Sequence, residues 1–184
     1  PYTNLQSIPI LYEENKDAVD GFMFSGELVY RHFQTIYPDI STPCYFLNIT
    51  PLTLQTYLFR LVLEDRQTDF SRIFVDCIND NALLGLDHLF APKEMPRHID
   101  KLENNFETDV LRSYETQLAL WRQGKIDLCI TRLGENVEPL LKQGVNVRLI
   151  TPSREDIVQR VKNSVTQIEL LRLKQEQSLK IVVA

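Results

Sequence analysis

At 184 residues, one compact domain or two intimate lobes can bury roughly 70% of the surface exposed on unfolding. A hydrophobic share of 43% and a charged share of 24% exclude disordered and fibrous classes. The formal net charge of -5 and pI near 5.3 repel phosphate backbones and anionic lipid, so no direct nucleic-acid contact and no membrane association are expected.

Short β-prone apolar runs alternate with longer segments of helical period, a pattern that predicts parallel strands joined by right-handed helical crossovers. The first strand is expected at Ile8–Tyr12 and the second at Gly21–Phe24, followed by a helix over Ser25–Tyr37 that Pro38 closes. A strand at Cys44–Ile49 leads to a helix from Leu52 to about Arg66, with Leu54, Leu58, Leu61 and Val62 on one face. The next strand is Arg72–Cys77. Residues 78–105 carry no clean period; a helix over Asp80–Leu89 and a short edge strand near Arg97–Ile99 are expected there. Phe106, Val110, Tyr114, Leu118 and Trp121 mark a helix ended by Gly124. A strand at Asp127–Thr131, a helix over Glu135–Gln143 ended by Gly144, and a strand at Val145–Ile150 follow. Ser153-Arg154-Glu155-Asp156 resembles a capping box and opens a long helix through Ile157, Val161, Val165, Ile168 and Leu171. The last strand is expected at Leu179–Val183.

Cys44, Cys77 and Cys129 stand far apart without a C-x-x-C pair, each in or beside an apolar run, and read as buried reduced thiols. Neither a membrane span nor a signal peptide is evident, so a reducing cytoplasm fits. Pro1 in place of an initiator Met, and an apolar run that stops at Ala184, read as a piece of a longer polypeptide.

Catalytic signatures are thin. Glycine-rich phosphate loops, the G-x-S-x-G elbow and H-E-x-x-H are all missing from the sequence, and no cofactor is expected. His32, His88 and His98 lack nearby carboxylate or cysteine partners in sequence. Glu13, Glu14, Glu103, Glu107 and Asp109 read as solvated faces. Asp76 ends a strand, where open α/β sheets place ligand-contacting groups, but the same position suits a helix N-cap, and both uses stay open.

One kind of strand end recurs. Ser25 and Gly26, Asn48 and Thr50, Asp76, Thr131 and Arg132, and Ser153 each stand between a strand and the next helix. Free N–H groups and the positive end of the helix dipole at such corners suit a small polar or anionic ligand. Plain N-capping uses the same residue types.

The runs Asp20–Gly26, Pro43–Leu47 with Thr50–Leu54, Gly124–Thr131, Gly144–Val147 and Thr151–Ser153 resemble the N-terminal sensor domains of propionate-catabolism-type transcriptional activators and related Firmicute regulators. The resemblance covers about three quarters of the chain and rests on loose strand-end patterns. It implies an α/β fold, flavodoxin-like or periplasmic-binding-protein-like, in which two small lobes with parallel sheets flanked by helices hold a ligand in the cleft between them. Lobe 1 would take residues 1–68 and 153–184, and lobe 2 residues 69–152, with crossings at Glu64–Asp69 and Thr151–Ser153. Carried over by position, the cleft would draw on Ser25, Gly26, Asn48, Thr50, Thr131 and Ser153. Such domains open with an additional strand and helix before the run matching Ile8–Tyr12, and that unit is missing here. The sheet edge it would leave bare invites pairing with a second copy, so a homodimer is expected.

The leading expectation is therefore a cytoplasmic small-molecule sensor domain of a larger regulatory protein rather than an enzyme. An enzyme would need Asp76, Arg132 and a histidine to converge. A ligand-free dimerisation module would expose Leu170, Leu171 and Leu173.

Overall fold

The computed structural model describes residues 5–76, 86, 88–99 and 106–176. Cys77, the expected strand at Leu179–Val183 and most of the expected helix over Asp80–Leu89 lie outside them. The chain forms two compact units, the first made of residues 1–48 with 154–184 and the second of residues 49–153. Each contains a parallel sheet with helices packed on it, the α/β class that the alternating pattern predicts.

In the first unit, α1 (Ser7–Asn15), β1 (Phe22–Phe24), α2 (Glu27–Ile36) and β2 (Cys44–Phe46) are joined by the long α6 (Arg154–Glu176). The run Ile8–Tyr12 is thus helical and not the expected strand. Periodicity alone cannot separate a short apolar run in a strand from one in a helix. Two features decide this one. Ile8 and Tyr12 fall on one helical face, where Ile8 is buried and the Tyr12 ring lies 5.1 Å from Phe33 and 5.2 Å from Phe22. Pro9 falls in the first turn, where its missing N–H would have no intrahelical partner anyway.

Strands β1 and β2 pair in parallel, Phe22 with Cys44 and Phe24 with Phe46. Helix α6 returns onto them. Arg160 donates from Nε to the Phe46 carbonyl at 2.9 Å, so α6 occupies a main-chain acceptor of β2. Arg172 pairs with Asp20. A Cβ at Gly21 would stand 2.9 Å from both Ile168 Cδ1 and the Pro43 carbonyl oxygen, so only glycine fits between α6 and β2 there.

The second unit opens with α3 (Pro51–Glu64), capped by Thr50, whose Oγ1 accepts from the Thr53 N–H at 3.2 Å. A 3-10 turn, Phe70–Arg72, leads into β3 (Ile73–Val75). Then come β4 (Arg97–His98), α4 (Phe106–Arg122), β5 (Leu128–Thr131), α5 (Gly134–Lys142) and β6 (Val147–Leu149). The four strands are all parallel, in the order β4-β3-β5-β6.

Both faces of this sheet are covered, as a parallel sheet requires, and β3 and β5 are buried throughout. On one face Ile73, Val75, Leu128 and Ile130 form a core with Leu54, Leu58 and Leu61 of α3 and with Leu86. On the other, Phe74, Cys129 and Val147 meet Leu140 of α5 and Tyr114 and Leu118 of α4. Helix α3 therefore belongs to the second unit. The chain crosses at 48/49 and not in the polar run 64–69, because the apolar stripe of α3 is buried against β3 and β5.

Gly124 and Gly144 end α4 and α5 at φ +63° and +76°. In both, the glycine N–H bonds back to the third residue before it and the next N–H to the fifth before that: Gly124 to Trp121 and Lys125 to Leu120, Gly144 to Leu141 and Val145 to Leu140. This is the Schellman pattern, and Val145 and Leu140 share a core beneath it.

Candidate functional site

The order β4-β3-β5-β6 has a reversal point between β3 and β5. From β3 the chain moves to β4 on one side, and from β5 to β6 on the other. The two connections also run over opposite faces. Leu86, Phe90 and Met95 of the β3–β4 connection join the first core, while α5 joins the second. This is the flavodoxin-like arrangement. In open α/β sheets of this arrangement, ligands are taken at the carboxyl ends of the two strands beside the reversal point.

Asp76 stands at that point. It follows the last residue of β3, is 3% exposed, and gathers its surroundings. One oxygen accepts from the Arg132 backbone N–H at 2.9 Å; the other accepts from Thr131 Oγ1, from Ser113 Oγ at 3.1 Å and, marginally, from Gln117 Nε2 at 3.5 Å. Thr131 Oγ1 in turn accepts from the Leu133 N–H at 3.0 Å, and Gln117 donates to Ser113 at 2.8 Å. Strand β3, the β5–α5 corner and α4 are thereby tied to one carboxylate. Burial raises the pKa of Asp76 above the usual carboxylate range; the donors from Thr131, Arg132 and Ser113 and the nearby Arg132 charge oppose that rise.

Of the residues singled out from sequence, Asp76, Thr131 and Arg132 are brought together, and two of them are internal. Asp76 and Thr131 use their polar atoms on each other and on the β5–α5 corner, which ties the corner to β3. Arg132 differs. Its N–H is held by Asp76, while its side chain is half-buried and makes no hydrogen bond or ion pair among the described residues. Gly134 starts α5, and no heavy atom lies within 4 Å of where a Cβ would stand on it, so the main chain is open to approach.

The other candidates lie elsewhere. Thr50 caps α3. Ser153 precedes α6 and Asn48 is exposed beyond β2. Ser25 and Gly26 follow β1, with Gly26 as an N-cap residue lacking a side-chain cap. The pairing of Phe24 with Phe46 places Ser25 and Asn48 at the same, carboxyl edge of the first unit's sheet.

Sequence reasoning missed Ser113 and Gln117 and misread Asp109. Phe106, Asp109, Ser113 and Gln117 are the buried stripe of α4, while Val110, Tyr114, Leu118 and Trp121 are only partly covered. The stripe is helical in spacing but largely polar in content, and two of its members, Ser113 and Gln117, bond to the buried Asp76. A weak signal existed: three polar residues at i, i+4 and i+8 beside an apolar face. Burial pushes the Cys129 thiol up to about 12 and the half-buried Cys44 thiol up to about 11, so both are uncharged at neutral pH. Among the described residues no group of three or more His, Cys, Asp and Glu could hold a metal ion, and no helix is long and apolar enough to cross a membrane.

Comparison with protein-family models, with curated proteins and with solved structures gives no match.

Proposed function

We propose that this chain is a small-molecule-sensing domain of a regulatory protein, and that its second unit takes a small anion at the carboxyl ends of β3 and β5. The observation that carries the reading is Arg132. Its main chain is fixed by a buried carboxylate at the reversal point of a parallel sheet, and its guanidinium, which acts on that carboxylate through its charge alone, makes no hydrogen bond or ion pair among the described residues. A guanidinium presents a planar fork suited to a carboxylate or phosphoryl group, and the amino end of α5 adds the positive pole of its dipole. With a net charge of -5 the chain as a whole does not attract anions, so any such affinity must be local. The likeness to sensor domains of propionate-catabolism-type activators points the same way. Such a domain signals only if the ligand binds two states of it unequally.

Calorimetry with inorganic phosphate, short-chain mono- and dicarboxylates and sugar phosphates tests this at constant ionic strength. At least one should bind saturably, and Arg132→Gln should weaken it by about 10- to 100-fold, the loss of one charged hydrogen-bond pair. Binding that Arg132→Gln leaves intact, or no binding beyond that of sodium chloride, removes the reading.

A second reading is self-association through α6. Its Leu170, Leu171 and Leu173 are 52%, 45% and 51% exposed, more than isolated surface leucines need. Light scattering should show a dimer that Leu170→Glu with Leu173→Glu dissociates; a monomer at high concentration ends it.

A further inference from the structure

The first unit contains a cavity of about 320 Å3, formed between the end of α2, the connection to β2, the first residues of β2 and Leu171 of α6. It opens at the amino end of β2, the opposite edge of the sheet from Ser25 and Asn48.

Three features of its lining define what it can hold. Four of its lining residues are aromatic: Tyr30, Tyr37, Tyr45 and, beneath them, the buried Phe33. Each tyrosine is also held by a ring or charge outside the cavity. Tyr30 stacks on Phe46 at 5.1 Å and 26°, Tyr37 packs on Tyr12 at 4.6 Å, and the Arg160 guanidinium lies 5.9 Å from the Tyr45 ring centre. Walls fixed in this way lose little freedom when a ligand enters.

The second feature is charge. No Asp, Glu, Lys, Arg or His lines the cavity, and the Cys44 thiol is neutral at pH 7. The nearest charges, Glu13 bonded to Tyr37 and Arg160 beside Tyr45, stand behind the lining residues, so an ion placed inside would give up part of its hydration without direct contact with a countercharge.

The third is its polar lining, which matches the apolar lining in extent. Gln34 and Thr42 carry a side-chain amide and a hydroxyl that make no hydrogen bond among the described residues, while the Thr42 carbonyl accepts from Cys44 Sγ. Aromatic faces interleaved with amide and hydroxyl groups suit a molecule that is flat and itself polar, and the volume lies near the small end of the range for small-molecule sites, ~300–1,000 Å3. Rigid tyrosine faces favour a flat ring, and an amide beside a hydroxyl favours ring or exocyclic heteroatoms.

We propose that this cavity is a second binding site, specific for a small, uncharged, planar heteroaromatic molecule. It is independent of the anion site in the second unit, since neither residues nor ligand charge are shared.

Nicotinamide, with nicotinate as its anionic counterpart of nearly the same shape, provides the test, with indole as a second neutral probe. Saturation-transfer NMR and calorimetry are run on the Arg132→Gln protein, so that anion binding in the second unit is not counted. Nicotinamide or indole should bind saturably, with nicotinate at least about tenfold weaker. Amide resonances of residues 30, 34, 42 and 45 should shift, and those of β5 and α5 should not. Thr42→Trp, which adds bulk to the lining, should abolish binding, and Gln34→Ala, a change at an exposed residue that leaves the aromatic rings in place, should weaken nicotinamide more than indole. No saturable binding of either neutral probe up to about 10 mM, equal affinity for nicotinate, or shifts confined to the second unit would overturn the proposal. Should Thr42→Trp fail to fold, the Gln34→Ala contrast and the shift map still decide it.

Discussion

Phe74→Ala is expected to destabilise the second unit by about 4 kcal/mol, within the ~3–5 range for removing a buried phenylalanine. The ring is fully buried on the central strand β3, which pairs with β4 through Arg97 and with β5 through Cys129. It projects to the face covered by α4 and α5, beside Cys129, Val147 and Leu140. Sheet and helix surfaces there meet from both sides, so the hole left behind has little room to collapse. Urea unfolding followed by far-UV circular dichroism should show a large fall in midpoint with an unchanged slope. A change below about 1 kcal/mol would mean that this core is loosely packed.

Asp76→Ala is expected to cost about 3 kcal/mol, because the Thr131 and Ser113 hydroxyls and the Arg132 N–H lose one shared acceptor inside the protein. Asp76→Asn keeps the shape and one oxygen and should cost less. The two changes separate packing from charge. Because burial raises the folded-state pKa of Asp76, the folded protein holds this proton to higher pH than the unfolded chain does. Its contribution is therefore most favourable below the unfolded carboxylate value of 3.8 and is lost as pH rises through the raised folded value. The stability of the protein relative to Asp76→Asn should fall across that window and level off above it. A difference that instead rises with pH would mean that the donors outweigh burial and that the folded pKa is lowered.

Asp76→Asn also bears on ligand binding. If Asp76 acts by holding the β5–α5 corner, the variant should weaken anion binding less than Arg132→Gln does. An equal or greater loss would mean that the carboxylate itself meets the ligand.

The sequence by itself determined the class of fold and most of its elements. The runs Ile73–Val75 and Leu128–Ile130 are apolar at successive positions, without the polar alternation of a half-exposed strand, which suits a sheet covered on both faces. Gly124 and Gly144 stopped their helices where the chain needs a positive φ, a local demand legible without any neighbour. Ile8–Tyr12 was not legible, because its helix is selected by contact of Tyr12 with Phe22 and Phe33, residues brought there by folding.

The site divides in the same way. Strand ends carrying Asp76, Thr131 and Arg132 could be picked out one at a time, since polar residues after a buried strand stand out against the pattern. That Asp76 lies inside and binds the other corner depends on β3 and β5 being neighbours across 55 residues of sequence. Asp109 reads as solvated yet is buried on α4, and Ser113 and Gln117 gain their role only when α4 is laid over that carboxylate. Local chemistry writes the propensity of each segment; which polar groups are buried together is decided only when distant strands pair, because a buried charge selects its own partners.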